Sequence, residues 1–220
     1  MPMRSSRLCR ECSTVLEIER SIPFCPACGQ SVARFEVHEG RCAWCRREGT
    51  RLSGTVRVGP YEQHLGHLVR AYKYAGREEL EPLLGRWLAE AVARSPWFEK
   101  IEVVSTVPAH WWDRLRRPLH AAETLAKFVA RRIDRPFVPL LRRRYPGRRQ
   151  TGLTGIERRE NVRGLFAPAR AVTLQKARVL LVDDVKTTGA TLEQCAKILK
   201  RQGASEIYAA VIAARDWQNP

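Results

Sequence analysis

The apolar positions of the chain recur at two different periods, and the changes of period mark out its elements. Between Tyr61 and Tyr74, Leu65, Leu68, Val69 and Tyr72 fall at helical spacing, and Gly76 ends the pattern. A second helix is predicted from Leu80 to Arg94, where Leu83, Leu84, Trp87, Leu88, Ala91 and Val92 form one apolar stripe. IEVVSTVP, Ile101 to Pro108, is β-branched and closed by proline, and predicts a buried strand. A third helix is expected from about Pro118 to Ile133, with Ala121, Leu125, Phe128, Val129 and Arg132 marking its turns, and a strand from Phe137 to Leu141. Val179 to Val182 is a continuous apolar run, too short for a helix and without alternation, as in a strand buried on both faces of a parallel sheet. Leu192, Cys195, Ala196 and Leu199 then continue as a helix, and EIYAAVIAA at 206–214 supplies a closing strand. Strands alternating with helices predict an α/β fold built on a doubly wound parallel sheet. The stretch 142–166, rich in arginine and glycine, has little apolar periodicity and reads as ligand-facing or mobile.

The chain has 220 residues, enough for one α/β domain and a small appendage. The first part, residues 8–57, has few large apolar residues but six of the seven cysteines. They form CxxC pairs at Cys9 and Cys12, Cys25 and Cys28, and Cys42 and Cys45. Thiolates two residues apart grip one metal from a tight knuckle, and two knuckles complete a tetrahedral zinc site that can replace a hydrophobic core. We therefore divide the chain into a Cys-rich zinc-ribbon segment, 1–57, and an α/β domain, 58–220. One zinc uses two pairs. Cys25, Cys28, Cys42 and Cys45 look most like a complete ribbon, while Cys9 and Cys12 remain further possible ligands, with the second pair or with another residue such as His38. Cys195 lies on the apolar face of a helix and reads as a core residue. The first residues, MPMRSSR, lack the apolar core of a signal peptide, and no apolar run approaches a membrane span. The expected location is cytoplasmic, with no membrane insertion, and there disulfides are disfavoured.

The candidate chemistry lies at Val179 to Thr191, VLLVDDVKTTGAT. Asp183 and Asp184 fall at the carboxyl end of the predicted strand, where open α/β sheets place their ligands. Carboxylates there can accept hydrogen bonds from sugar hydroxyls or hold a hard cation. Thr187, Thr188, Gly189, Ala190 and Thr191 follow as a small, hydroxyl-rich turn before a helix, whose first N–H groups are unpaired and carry its positive dipole end. The unit predicts a site with a phosphate at one end and sugar hydroxyls at the other.

This pattern resembles the phosphoribosyl pyrophosphate signature of type I phosphoribosyltransferases. The resemblance sharpens to the ComF family, competence-type proteins with a zinc ribbon before a phosphoribosyltransferase domain. It rests on the CxxC pairs, YKYAGR at 72–77, VPAH at 107–110, QTGL at 150–153, ERRENVRGLF at 157–166 and the signature, all in order. The resemblance implies that Asp183 and Asp184 meet the ribose hydroxyls and that Thr187 to Thr191 wrap the 5′-phosphate. Pro108, Ala109, His110 and Arg117 would face pyrophosphate. It also implies Mg²⁺ bound together with phosphoribosyl pyrophosphate, and transfer of phosphoribose to an acceptor. One segment departs from the family: where RGFNQ is usual, this chain has Arg117, Pro118, Leu119, His120 and Ala121. Losing the glycine and two amides weakens the pyrophosphate contact and hence the case for turnover. Lys186 stands where the family usually has an uncharged residue, and either reaches the phosphates or points to solvent.

Charge adds a second class of partner. The chain carries a formal net +16, and residues 110–163 hold 15 Lys or Arg against 5 Asp or Glu, a net +10. Such a patch concentrates polyanions. Trp111, Trp112 and Tyr145 interleave with it and offer stacking faces for single-stranded DNA, although a tryptophan pair also serves packing. The alternative function is a non-catalytic accessory of competence and DNA uptake that binds single strands beside a competence helicase.

Overall fold

The computed structural model describes residues 8–33, 35–62, 64–109, 120–145, 164–169 and 173–216. Four parallel strands, β1 (Gly54–Pro60), β2 (Val103–Thr106), β5 (Arg178–Lys186) and β6 (Glu206–Ala214), form a sheet in the order β1-β6-β5-β2. A separate antiparallel pair joins β3 (Leu141–Arg143) to β4 (Phe166–Pro168). The helices are α1 (Arg10–Ser21), α2 (Ala43–Glu48), α3 (His64–Tyr74), α4 (Glu81–Ala93), α5 (Ala121–Arg132) and α6 (Ala190–Arg201).

The uninterrupted apolar run of β5 follows from cover on both faces. Leu180 and Val182 enter a cluster with Leu65, Leu84, Leu88 and Val129, from α3, α4 and α5. Val179 and Leu181 point the other way, into a cluster with Leu192, Cys195 and Leu199 of α6. Successive side chains of a strand alternate in direction, so both sets must be apolar. In β6, Tyr208, Ala210 and Ile212 alternate with Ile207, Ala209 and Val211 in the same way. The fold is the doubly wound parallel sheet expected. Among the described residues no helix is long and apolar enough to cross a membrane.

Three features depart from the sequence expectation. The strand expected over Phe137 to Leu141 begins instead at Leu141, because Pro139 has no N–H to donate to a ladder. Phe137 makes only a single parallel bridge to Val104. Secondly, residues 10–21 form a helix that belongs to the main core, with Leu16 2% exposed against Val58 and Leu65. Its Glu19 is buried, and its carboxylate accepts the N–H groups of His64 and Leu65, both at 2.9 Å. This side chain satisfies the free donors at the start of α3 and meets the positive end of its dipole. Thirdly, β1 begins at Gly54, so the division drawn at 57/58 falls inside a strand of the sheet.

Candidate functional site

Asp183 and Asp184 lie inside β5, whose pairing with β6 continues past them to Lys186 opposite Ala214. Because strand side chains alternate, the two carboxylates serve opposite faces. Asp184 points toward α3, where Lys73 Nζ is 2.7 Å from its Oδ2. Asp183 lies on the α6 side, and its Oδ1 accepts the Asp184 N–H at 2.9 Å. Desolvation, then the charge of Asp184, raises the pKa of Asp183 well above the carboxylate range, against the pull of Lys73. Lys73 is held above its ordinary value: burial pulls it down, but the charge of Asp184, its hydrogen bond and the charges of Tyr74 and Asp183 together outweigh that. Its neighbour Tyr72 is buried in the core and shares a 2.6 Å hydrogen bond with Thr124 of α5, which fixes the end of α3 against the fold.

The turn after β5 passes through Gly189, whose φ of 76° lies in the left-handed region that a side chain disfavours. The 12-residue helix α6 starts at Ala190. The Ala190 N–H donates to Thr188 Oγ1 at 3.3 Å, and the Glu193 N–H to Gly189 O at 2.9 Å. Thr187, Thr188, Ala190 and Thr191 are half-buried around this helix start. Hydroxyls and N–H donors at the positive end of a helix suit an oxyanion.

β2 lies beside β5 in parallel, with Thr106 opposite Val182 and the Val107 N–H bonded to Val182 O at 3.0 Å. Pro108 and Ala109 therefore leave the sheet at the same edge as the acidic pair, Pro108 half-buried and Ala109 exposed. His110, Arg117, Pro118 and Leu119 lie outside the described residues, as do Trp111, Trp112 and the segment 150–163. Lys73 was not singled out from the sequence as a ligand of the acidic pair. In the sequence YKYAGR stands only as one of the motifs that carry the resemblance.

The first motif folds as a separate centre. The sulfurs of Cys25, Cys28, Cys42 and Cys45 lie within 4.8 Å of one another, all four residues buried. Cys25 and Cys45 are 4.0 Å apart, and Cys28 and Cys42 3.8 Å. Four thiolates at about 2.3 Å from a tetrahedral zinc stand roughly 3.8 Å from one another, so this cage fits the ion. The Cys42 N–H donates to Cys25 Sγ at 3.3 Å, and Gly29, at φ 75°, lets the first knuckle turn. Without a cation the four sulfurs cannot all ionise. Hydrogen bonds from Cys28 and Cys45 favour the thiolate at Cys25, while the same contact pushes Cys28 up to about 12. Cys9 and Cys12 are exposed and stand apart from this cluster, the Cys12 N–H donating to Cys9 Sγ at 3.3 Å at the start of α1. His38 is exposed and likewise outside it.

Lys186, expected at the phosphates or in solvent, is buried at 5% exposure with its stem packed under Gly189. Cys195 is fully buried in the apolar cluster beneath α6, as expected, and burial raises its thiol pKa.

Comparison with known proteins gives this geometry a lineage. Residues 118–218 match the phosphoribosyl transferase domain. The chain is 29% identical over 208 residues to competence protein F of Haemophilus influenzae, covering 91% of this chain and 87% of that protein. It is 26% identical over 204 residues to the DNA utilization protein YhgH of Escherichia coli K12, with 91% and 87% covered. Among solved structures, a purine phosphoribosyltransferase from Pyrococcus horikoshii aligns over 63% of this chain and 78% of its own, with 22% identity and a TM-score of 0.42. With the motifs in order, the parallel sheet and the four-cysteine cluster, the chain is similar over nearly its whole length to competence proteins of the ComF type, and it carries a phosphoribosyl transferase domain.

Proposed function

We propose that this protein binds phosphoribosyl pyrophosphate with Mg²⁺ at the end of β5 and transfers phosphoribose to an acceptor. One observation carries the reading: an acidic pair near the carboxyl end of an inner parallel strand is followed, five residues later, by a left-handed glycine and a helix start. Thr187 to Thr191 hold the 5′-phosphate through backbone N–H groups and hydroxyls. Asp183 and Asp184 take the ribose hydroxyls, and Pro108 to His110 with Arg117 face pyrophosphate. Lys73 balances the charge of Asp184 in the free site and offers a cation to a ligand phosphate.

Bound Mg²⁺ would supply charge neutralisation of the leaving pyrophosphate, and Asp183 and Asp184 would share in holding it. The chain's own residues contribute orientation and electrostatic stabilisation of an oxocarbenium-like transition state. Zinc fills the cage of Cys25, Cys28, Cys42 and Cys45 and holds the segment around it. A cytoplasmic location fits this ligand and the reduced thiols. Release of pyrophosphate, measured against a panel of bases and amines, tests the transfer; no release with any acceptor would leave a binding protein and not an enzyme.

A second reading has its own support. Relatives are named competence and DNA utilization proteins. Arg142, Arg144 and Tyr145 are exposed together at β3, Tyr145 at 60%. Here the protein is an accessory of DNA uptake that stacks and neutralises single strands, beside a competence helicase. A salt series decides: affinity for single-stranded DNA independent of ionic strength would contradict the reading.

A further inference from the structure

The cysteine centre and the phosphate-loop helix are tied together at two places. Thr50 and Arg51, just after α2, both reach the carboxylate of Glu193 in the first turn of α6. The Thr50 hydroxyl donates to Oε1, the Arg51 N–H reaches Oε1 and Oε2 at 3.3 and 3.1 Å, and the Arg51 guanidinium lies 3.5 Å from Oε2. At the end of β6, Asp216 accepts the Ser31 N–H at 2.9 Å, Gln30 Nε2 at 3.3 Å and Arg57 Nη1 at 3.2 Å. The first knuckle is thus fastened to the edge of the sheet from which the loop departs. Thr55 strengthens this fastening, its N–H bonded to Pro26 O at 2.7 Å and its hydroxyl to Ala27 O at 2.9 Å.

Lys186 ends β5, just before the loop. A Cβ placed on Gly189 would meet Lys186 Cε at 3.0 Å, so the lysine stem forms the floor of the loop. Among the described residues its ammonium has no hydrogen bond or ion pair. It is desolvated by burial, and its electrostatic surroundings include the cage residues Cys28 and Cys45 together with Arg57 and Asp216. A metal held by the four sulfurs would set the charge that faces the buried ammonium of Lys186, while the Arg57 guanidinium has its own carboxylate partner in Asp216.

We propose that the cysteine centre presets the phosphate loop through two positioning residues, Lys186 and Glu193, so that the loop's order and its affinity for ligand follow the metal-loaded state of Cys25, Cys28, Cys42 and Cys45. The inference rests on the zinc and phosphoribosyl pyrophosphate assignments made above. The physical reason is preorganisation. A left-handed turn of small residues converges its N–H groups on one point only when its surroundings hold it, and a loop that must be ordered on binding gives up affinity. Among the described residues the cluster around the cysteines contains otherwise only Ala27, with Val32 and Trp44 packed on it, so loss of the metal releases the contacts on Glu193 and Asp216 together.

The test uses the full chain, loaded with zinc or stripped by a chelator, with two readouts. Hydrogen exchange of residues 187–193 reports the loop without any ligand, and calorimetric titration with Mg²⁺ and phosphoribosyl pyrophosphate reports affinity. Stripping is expected to speed loop exchange and weaken binding at least tenfold while residues 207–213 of β6 stay protected; zinc added back restores both. Glu193→Ala, with zinc still bound one per chain, is expected to show the fast loop and the weak binding already, and stripping it should change affinity less than twofold further. Loop exchange equally slow in stripped protein, or an Glu193→Ala variant that keeps the slow loop while zinc is bound, would overturn the proposal. If stripping unfolds the whole chain, the zinc-loaded Glu193→Ala comparison still decides. If the zinc-loaded protein binds no phosphoribosyl pyrophosphate, the functional assignment fails, while the exchange measurement judges the coupling separately.

Discussion

Lys73 and Asp184 form a 2.7 Å ion pair that joins the end of α3 to the acidic strand end of the candidate site. In the free protein the lysine neutralises a carboxylate that stands beside a second, poorly solvated one. Lys73→Met removes the cation and keeps the stem. Affinity for Mg²⁺ and phosphoribosyl pyrophosphate should fall about tenfold, the effect of roughly 1.4 kcal/mol from a charged hydrogen bond. The sign of the pH effect follows from the raised pKa of Lys73. The pair's contribution is complete at neutral pH and is lost as rising pH passes the raised value of the lysine. Calorimetry on the variant, and wild-type unfolding between neutral and alkaline pH, check both.

Asp183 is held in a conformation that favours its neutral form, since its pKa is raised by desolvation and by Asp184. A carboxylate with a raised folded-state pKa contributes stability below its ordinary value, about 3.9, and loses it as pH rises. Asp183→Asn keeps an acceptor for the Asp184 N–H and removes the charge. The variant should melt higher than wild type at pH 7, by about 2 °C or more, and the difference should vanish in acid. Thermal unfolding at pH 7 and pH 3 measures it. A carboxylate that costs stability where it stands is what a binding residue looks like, as distinct from a structural one.

The cysteines divide into three chemical classes. Metal analysis should give one zinc per chain in wild type and in Cys9→Ser, and none in Cys28→Ser. In the zinc-loaded protein, Cys9 and Cys12 should react rapidly with a thiol reagent, while the four cage sulfurs and Cys195 stay protected by metal or burial.

Glu19→Ala leaves the His64 and Leu65 N–H groups without their acceptor inside the fold. Stability should fall by about 1–3 kcal/mol, read from denaturant unfolding, with the zinc content unchanged.

How much of this was legible in the sequence depended on whether one stretch carried its own physics. Val179 to Thr191 did, because an apolar run, two carboxylates and a glycine turn each have a local cause. The Cys25–Cys45 cage did too, since knuckle spacing dictates metal geometry. Lys73 as partner of Asp184 was hidden, because the two residues are 111 positions apart and meet only once α3 packs on the sheet. β1 was hidden for a related reason. Its Thr55 and Arg57 are buried, but by the cysteine segment and Asp216, so no apolar pattern announces the strand. Lys186 belongs with them: a lysine in a strand end reads as solvent-facing until the cysteine segment covers it.

The central claim is that Asp183, Asp184 and the Thr187–Thr191 turn form a site for phosphoribosyl pyrophosphate. Calorimetric titration of zinc-loaded protein with that ligand and Mg²⁺ tests it most directly, comparing wild type with Asp183→Asn plus Asp184→Asn. Saturable binding is expected in wild type and none in the double variant, with both folded. Equal affinity in the two proteins, or no binding in either, would contradict it.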